Sequence, residues 1–146
     1  MRNVDKKRIT TAVLILFAIV LAAAGCVSKH SPRWGEVLKY EGGSLFYTSK
    51  VTKEDAQRLG DYLLKAGLFK AGKATIAQLT KQGQVYQLRV VSEKGILEKK
   101  RAPEEMGPVE AAGLLAEDIS KEVFGGAKVE WHICDDNLNT LSIGSY

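Results

Sequence analysis

The chain is poor in the residues that would mark a specialised scaffold. Cys26 and Cys134 are its only cysteines among 146 residues, too few for a multi-bridge disulfide framework. Three prolines and no Gly-X-Y period exclude collagen, and no low-complexity tract marks a mucin-like stalk. Histidine is scarce too, with His30 and His132 alone. There is no phosphate-cradling G-x-x-x-x-G-K-[ST], no dinucleotide G-x-G-x-x-G and no H-E-x-x-H. No nucleophile-elbow sequence accompanies His132. What is present is an ordinary globular balance, 45% hydrophobic and 26% charged residues, which excludes intrinsic disorder. The length fits one domain.

The net charge of +4 is unevenly placed. Residues 1–26 hold Arg2, Lys6, Lys7 and Arg8 against Asp5, a balance of +3. The remainder holds 17 Lys and Arg against 16 Asp and Glu, a balance of +1. A nearly neutral body has no global field to attract a polyanion, so nucleic-acid binding is not expected.

The basic head is followed by an apolar run from Ile9 to Gly25, interrupted only by Thr10 and Thr11. As a helix its 17 residues would span about 25 Å, short for a bilayer core and long for a signal peptide. The run ends Ala22-Ala23-Ala24-Gly25-Cys26. Small residues directly before a cysteine resemble a bacterial lipoprotein signal, which implies lipidation of Cys26. Ala23 stands where that pattern usually has leucine. The competing outcomes are an uncleaved anchor helix with its basic head in the cytoplasm, and a cleaved soluble product. The expected organisation is therefore a signal or anchor segment at 1–26, a tether at 27–33, and a single extracytoplasmic domain at 34–146. Its location would be the cell membrane or envelope.

The rest alternates strand and helix patterns. Trp34–Tyr40 and Ser44–Ser49 flank Glu41-Gly42-Gly43, a hairpin signal. Thr52 is a good N-cap, Asp55 follows it at capping-box spacing, and Ala56, Leu59, Leu63 and Ala66 form an apolar stripe ended by Gly67. Ala74–Thr80 and Val85–Val91 predict a second hairpin, and Glu93–Glu105 an exposed loop touching the body through Ile96 and Leu97. A second helix begins at Pro108, its stripe running Val109, Ala112, Ala116, Ile119, Val123, with small residues at Ala111, Ala112 and Gly113 for close approach to the sheet. Lys128–Cys134 reads as a strand, and Leu138–Ile143 as a last, short edge strand. The expected fold is α+β: an antiparallel sheet with two helices on one face, a ferredoxin-like β-α-β-β-α-β core with extra N- and C-terminal strands.

Three constellations bear on chemistry. Glu130, His132 and Cys134 alternate on one side of a strand and offer three zinc-ligand types. Same-side neighbours stand about 6–7 Å apart, too far to share one ion comfortably. Asp135-x-Asn137-x-Asn139 copies the start of a calcium loop, but Thr140 occupies the glycine position and Tyr146 the glutamate position. A turn explains these residues better. Lys99-Lys100-Arg101 is surrounded by Glu93, Glu98, Glu104 and Glu105, so its field is cancelled. Trp34, Tyr40, Phe46 and Tyr47 suit a core or interface role. No catalytic, cofactor or metal residue is expected, and Cys134 is expected to be a buried thiol.

Thr52-x-Glu54-Asp55-Ala56-x-x-Leu59-Gly60-Asp61-Tyr62-Leu63, Val123-Phe124-Gly125-Gly126-Ala127-x-Val129-Glu130 and Cys134-Asp135-Asp136-Asn137-Leu138 resemble a domain of uncharacterised bacterial membrane-associated proteins. The resemblance covers about the last two thirds of the chain and implies an extracytoplasmic module without a known activity. The expected function is a membrane-tethered, non-catalytic interaction or structural module with an envelope-protein partner. The alternatives are a small metal-dependent enzyme, or a binder of small ligands or envelope polymer.

Overall fold

The computed structural model describes residues 33–145. The first strands, β1 (Glu36–Tyr40) and β2 (Gly43–Tyr47), form an antiparallel hairpin. Gly42 turns it with φ +77°, and a Cβ there would lie 1.8 Å from the Lys70 carbonyl oxygen. Both the backbone angle and the space demand glycine. Helix α1 (Lys53–Lys65) starts where the Thr52 hydroxyl accepts the Asp55 N–H. It stops in a Schellman arrangement at Gly67: the Gly67 N–H donates to the Leu64 carbonyl and the Leu68 N–H to that of Leu63. Ala56, Leu59 and Leu63 of the expected stripe are buried, whereas Ala66, past the end of the helix, is exposed.

Strands β3 (Thr75–Gln82) and β4 (Val85–Val91) close on Gly83. Its φ of +59°, followed by an ordinary residue, is the pattern of a type II′ hairpin turn. Residues 92–107 follow without regular structure, and the Arg101 guanidinium donates to the Ile96 carbonyl within them. Helix α2 (Pro108–Glu122) begins with Pro at its first position, while the Glu110 carboxylate accepts the Gly107 N–H. Strands β5 (Val129–Cys134) and β6 (Thr140–Gly144) complete the described sheet. Among the described residues no helix is long and apolar enough to cross a membrane.

The fold is α+β, but its sheet is mixed rather than antiparallel. The six strands lie in chain order, β1-β2-β3-β4-β5-β6. The β2–β3 and β4–β5 pairs, each joined through a helix, are parallel, and the other three are antiparallel. A ferredoxin-like core would place its first strand between its third and fourth. Here that flank of β2 is taken by β1, through a tight hairpin, and the matching flank of β5 by β6. The terminal strands therefore exclude the ferredoxin-like order, and each helix returns the chain to the adjacent strand.

Two registered rows carry the core: Leu45–Ala77–Val90–Ile133 and Tyr47–Leu79–Leu88–Trp131. They face the same way, and the apolar residues of both helices join them in one cluster. Both helices thus cover one face, as expected. Small residues permit the closest approach. A Cβ on Gly144 would lie 2.6 Å from the Gly113 nitrogen and 2.7 Å from the Val109 carbonyl oxygen, so β6 sits directly under α2.

Tyr86 links the parts of this layer. Its hydroxyl donates to Asp55 at 2.9 Å, and its ring stacks on Phe124, centroids 3.9 Å apart. Burial pushes the Asp55 carboxyl up, but hydrogen bonds from Arg58 and Tyr86 outweigh it and hold the carboxyl below its ordinary 3.8. A carboxyl depressed on folding adds stability above its unfolded pKa and loses it as the pH falls through its folded value. Asp55→Asn should therefore melt lower than the parent near neutral pH and converge on it in acid, checked by thermal melts across the acid range. Equal melts at neutral pH would refute this role. Leu63→Ala should cost about 2–5 kcal/mol, because it empties a central position of the α1 stripe. Urea titration measures this, and a change near zero would mean the stripe does not carry the core.

Candidate functional site

The side chains with chemical potential lie on the sheet face opposite the helices. Alternation turns Phe46, Gln78, Arg89 and His132 to that side, in register across β2, β3, β4 and β5. No helix covers them, yet Gln78 is 2% exposed and His132 5%. Part of the cover comes from the chain before β1. Trp34 was expected in the first strand, but Gly35, with φ +81°, turns the chain back. A Cβ on Gly35 would lie 2.1 Å from the Tyr47 carbonyl oxygen. Trp34 then packs on Phe46 with ring centroids 5.0 Å apart. The Gln78 amide donates to the Arg33 and Trp34 carbonyls at 2.8 and 3.0 Å. The Arg33 guanidinium reaches Asn139 in the β5–β6 turn.

That turn is built on Asp135. Its carboxylate accepts the backbone N–H groups of Asn137 and Asn139 and the Asn139 amide. The Asn139 side chain, followed by the Asn139 N–H, holds the Asp135 carboxyl below its ordinary value. The calcium-loop resemblance of this segment resolves into a turn whose acidic group bonds its own backbone. Leu138 was expected to open the last strand. It instead sits buried within the turn at φ +60°, a backbone angle uncommon for a branched residue, and β6 starts at Thr140.

The Glu130–His132–Cys134 trio shares a side of β5 but does not converge. The His132 ring bonds Thr140 through Nδ1 at 3.0 Å and Glu130 through Nε2 at 3.2 Å. Cys134 is fully buried, its thiol donating to the His132 carbonyl, and burial pushes its pKa up. Among the described residues no three His, Cys, Asp or Glu side chains are placed to hold a metal ion. Arg89 lies between Gln78 and His132, with one guanidinium nitrogen 3.4 Å from Thr140. The alternation of β4 was visible in the sequence. Nothing in that pattern singled out Arg89 or Gln78, because their importance depends on what crosses the far face.

The other sequence candidates are structural. Tyr40 stacks on Phe69. The Tyr47 hydroxyl donates to Glu36, which pushes its pKa up to about 12. Lys99 pairs with Glu93 at 3.4 Å, consistent with a solvated loop. Cys26 and His30 lie outside the described residues, as does the 1–26 segment.

A second feature lies on the side of the molecule where α2 meets β6. A cleft of about 710 Å³ lies between them and is lined in part by residues 103–106. Met106, Leu114 and Ile143 stand exposed in it. Its lining combines these apolar residues with the carboxylates of Glu104, Glu105, Glu110 and Glu117.

Residues 38–143 match the AF_1994_N family N-terminal domain, and the chain belongs to this family. The match spans β1 through β6, nearly the whole sheet and both helices. No curated protein and no solved structure matches the chain.

Gln78 bonds the backbone of both Arg33 and Trp34 and so helps to hold them against the sheet. Gln78→Ala should cost about 1–3 kcal/mol by leaving two carbonyls unpaired, and should accelerate tryptic cleavage after Arg33. Limited proteolysis reads this directly. Unchanged cleavage would show that other contacts fix the strap.

Proposed function

We propose that this chain is a membrane-tethered, extracytoplasmic interaction module without catalytic activity. One contrast carries the reading. The groups that could do chemistry are spent inside the domain, whereas apolar surface is left exposed beside α2. His132 is bonded on both ring nitrogens, Cys134 is enclosed, and Asp135 is closed on its own turn. Met106, Leu114, Leu141 and Ile143 are each about half exposed, and three of them line one cleft. Clustered apolar exposure marks an interaction surface more often than a solvated one.

The tether is supported by the basic head, the apolar run and the small residues before Cys26. Cys26 precedes Arg33 by seven positions, at most about 25 Å of extended chain. Arg33 is fixed on the face opposite the helices. A lipid on Cys26 would hold that face toward the bilayer and leave the helix layer and the α2 side for a partner. More than one acyl chain, at about 0.8 kcal/mol per buried CH₂, gives anchoring that resists salt washing.

Cys26→Ser should abolish fatty-acid labelling and leave an unprocessed chain, read by intact mass of the membrane-extracted protein. An unmodified full-length parent would overturn the lipid tether and assign residues 1–26 to an anchor. Photo-cross-linking in native membranes, with probes on α2 and on the outer side of α1, should recover one reproducible protein partner. Solitary behaviour at both positions would overturn the interaction reading itself.

A further inference from the structure

The two edges of the sheet are treated differently. β1, at one end, carries Glu36 and Lys39, charges of the kind that keep an edge from pairing with another chain. β6, at the other, reads Thr-Leu-Ser-Ile-Gly, with no charge and no proline. Among the described residues β6 is paired only with β5, so one line of its backbone N–H and C=O groups is unclaimed. Leu141 and Ile143 are 53% and 45% exposed on it. An uncharged, apolar edge is what proteins ordinarily guard against, and here it borders the cleft beside α2.

That cleft is acidic. Its lining includes Glu104, Glu105, Glu110 and Glu117, and contains no lysine or arginine. Lys121 pairs with Glu117 from outside the lining, and Glu110 accepts the Gly107 N–H. The remaining charge is still of one sign. Met106 and Leu114 line the same cleft and are 56% and 51% exposed. A strand laid along β6 would turn alternate side chains toward this apolar and acidic lining.

We propose that β6 accepts an extended segment of a partner protein as a seventh strand, and that the segment alternates apolar with basic residues. This rests on the interaction-module reading and names its surface and partner chemistry. Main-chain bonds to β6 would supply affinity, apolar residues would seat on Leu114 and Met106, and lysines or arginines would meet the glutamates. The charge also selects among occupants. A second copy pairing edge to edge would bring two acidic clefts together, and an anionic lipid surface would be repelled by one.

Fluorescence anisotropy of the full chain in detergent, with a labelled ten-residue peptide of alternating valine and lysine, tests the proposal. Saturable binding is expected, weakened by salt. Replacing the lysines by glutamates, N-methylating alternate amides of the peptide, or the exposed change Leu114→Glu should each weaken it by at least about tenfold. Circular dichroism melts confirm that Leu114→Glu remains folded, and Glu105→Lys provides a second variant expected to weaken binding. No binding of the lysine peptide, or binding unaltered by these changes, would overturn the proposal. So would concentration-dependent dimers blocked by Leu114→Glu, which assign the edge to a second copy, or binding seen only after removal of residues 1–32, which assigns it to that segment. A partner cross-linked reproducibly through α1 and never through α2 would defeat this inference and leave the module reading standing.

Discussion

Two helices can share one sheet face only if the seam between them is filled, and Tyr86 fills it at the start of β4. Its hydroxyl reaches Asp55 in the first turn of α1, while its ring lies flat on Phe124, just past the end of α2. Lys81 sits 4.4 Å from the centroid of the same ring, adding a cation–π contact to the stack. Beneath this join the rows through Leu79 and Leu88 run continuously from β2 to β5. Burial of those rows supplies the driving force, and Tyr86 fixes how the layer above them is arranged.

The face away from the helices follows a different logic. Its centre is covered in part by a strap of chain entering the domain, while the Nε of Arg89 lies buried there without a partner among the described residues. Gln78 holds carbonyls of that strap, and Asp135 holds the turn that Arg33 reaches. Where the chain enters is therefore set by these bonds. Any tether preceding Arg33 inherits a direction from the fold.

Local signals were legible in the sequence wherever a single residue type dictates backbone geometry. Thr52, Gly67, Pro108 and Gly83 each mark the boundary or turn that the structure places there, and the alternation of β5 separates Trp131 from His132 as expected. The Asp135 turn was readable because its side chain can bond its own backbone. Strand order was not, since pairing depends on which flank is already occupied. Nothing in the residues of β2 reveals that β1 will take the place a ferredoxin-like core reserves for a later strand. Nor could alternation show that Trp34 leaves the strand, because that follows from Gly35 turning above Tyr47. Leu138 looked like a strand residue by composition, and only the closed turn forces its positive φ. The α2–β6 cleft was invisible for a similar reason: its apolar lining comes from three separate segments.

The order of the strands also bears on how the molecule is made. Each strand pairs with the one immediately before it in the chain. No early strand waits for a late one to slip in between, as it would where the first strand is central. Loop-closure entropy is then met in modest instalments, and the topology favours rapid folding over slow searches for distant partners. A chain delivered end-first, from a ribosome or through a membrane pore, can extend its sheet one edge at a time as it emerges. Among the described strands β6 is the last to arrive, and its outer side is the edge that this stepwise growth leaves.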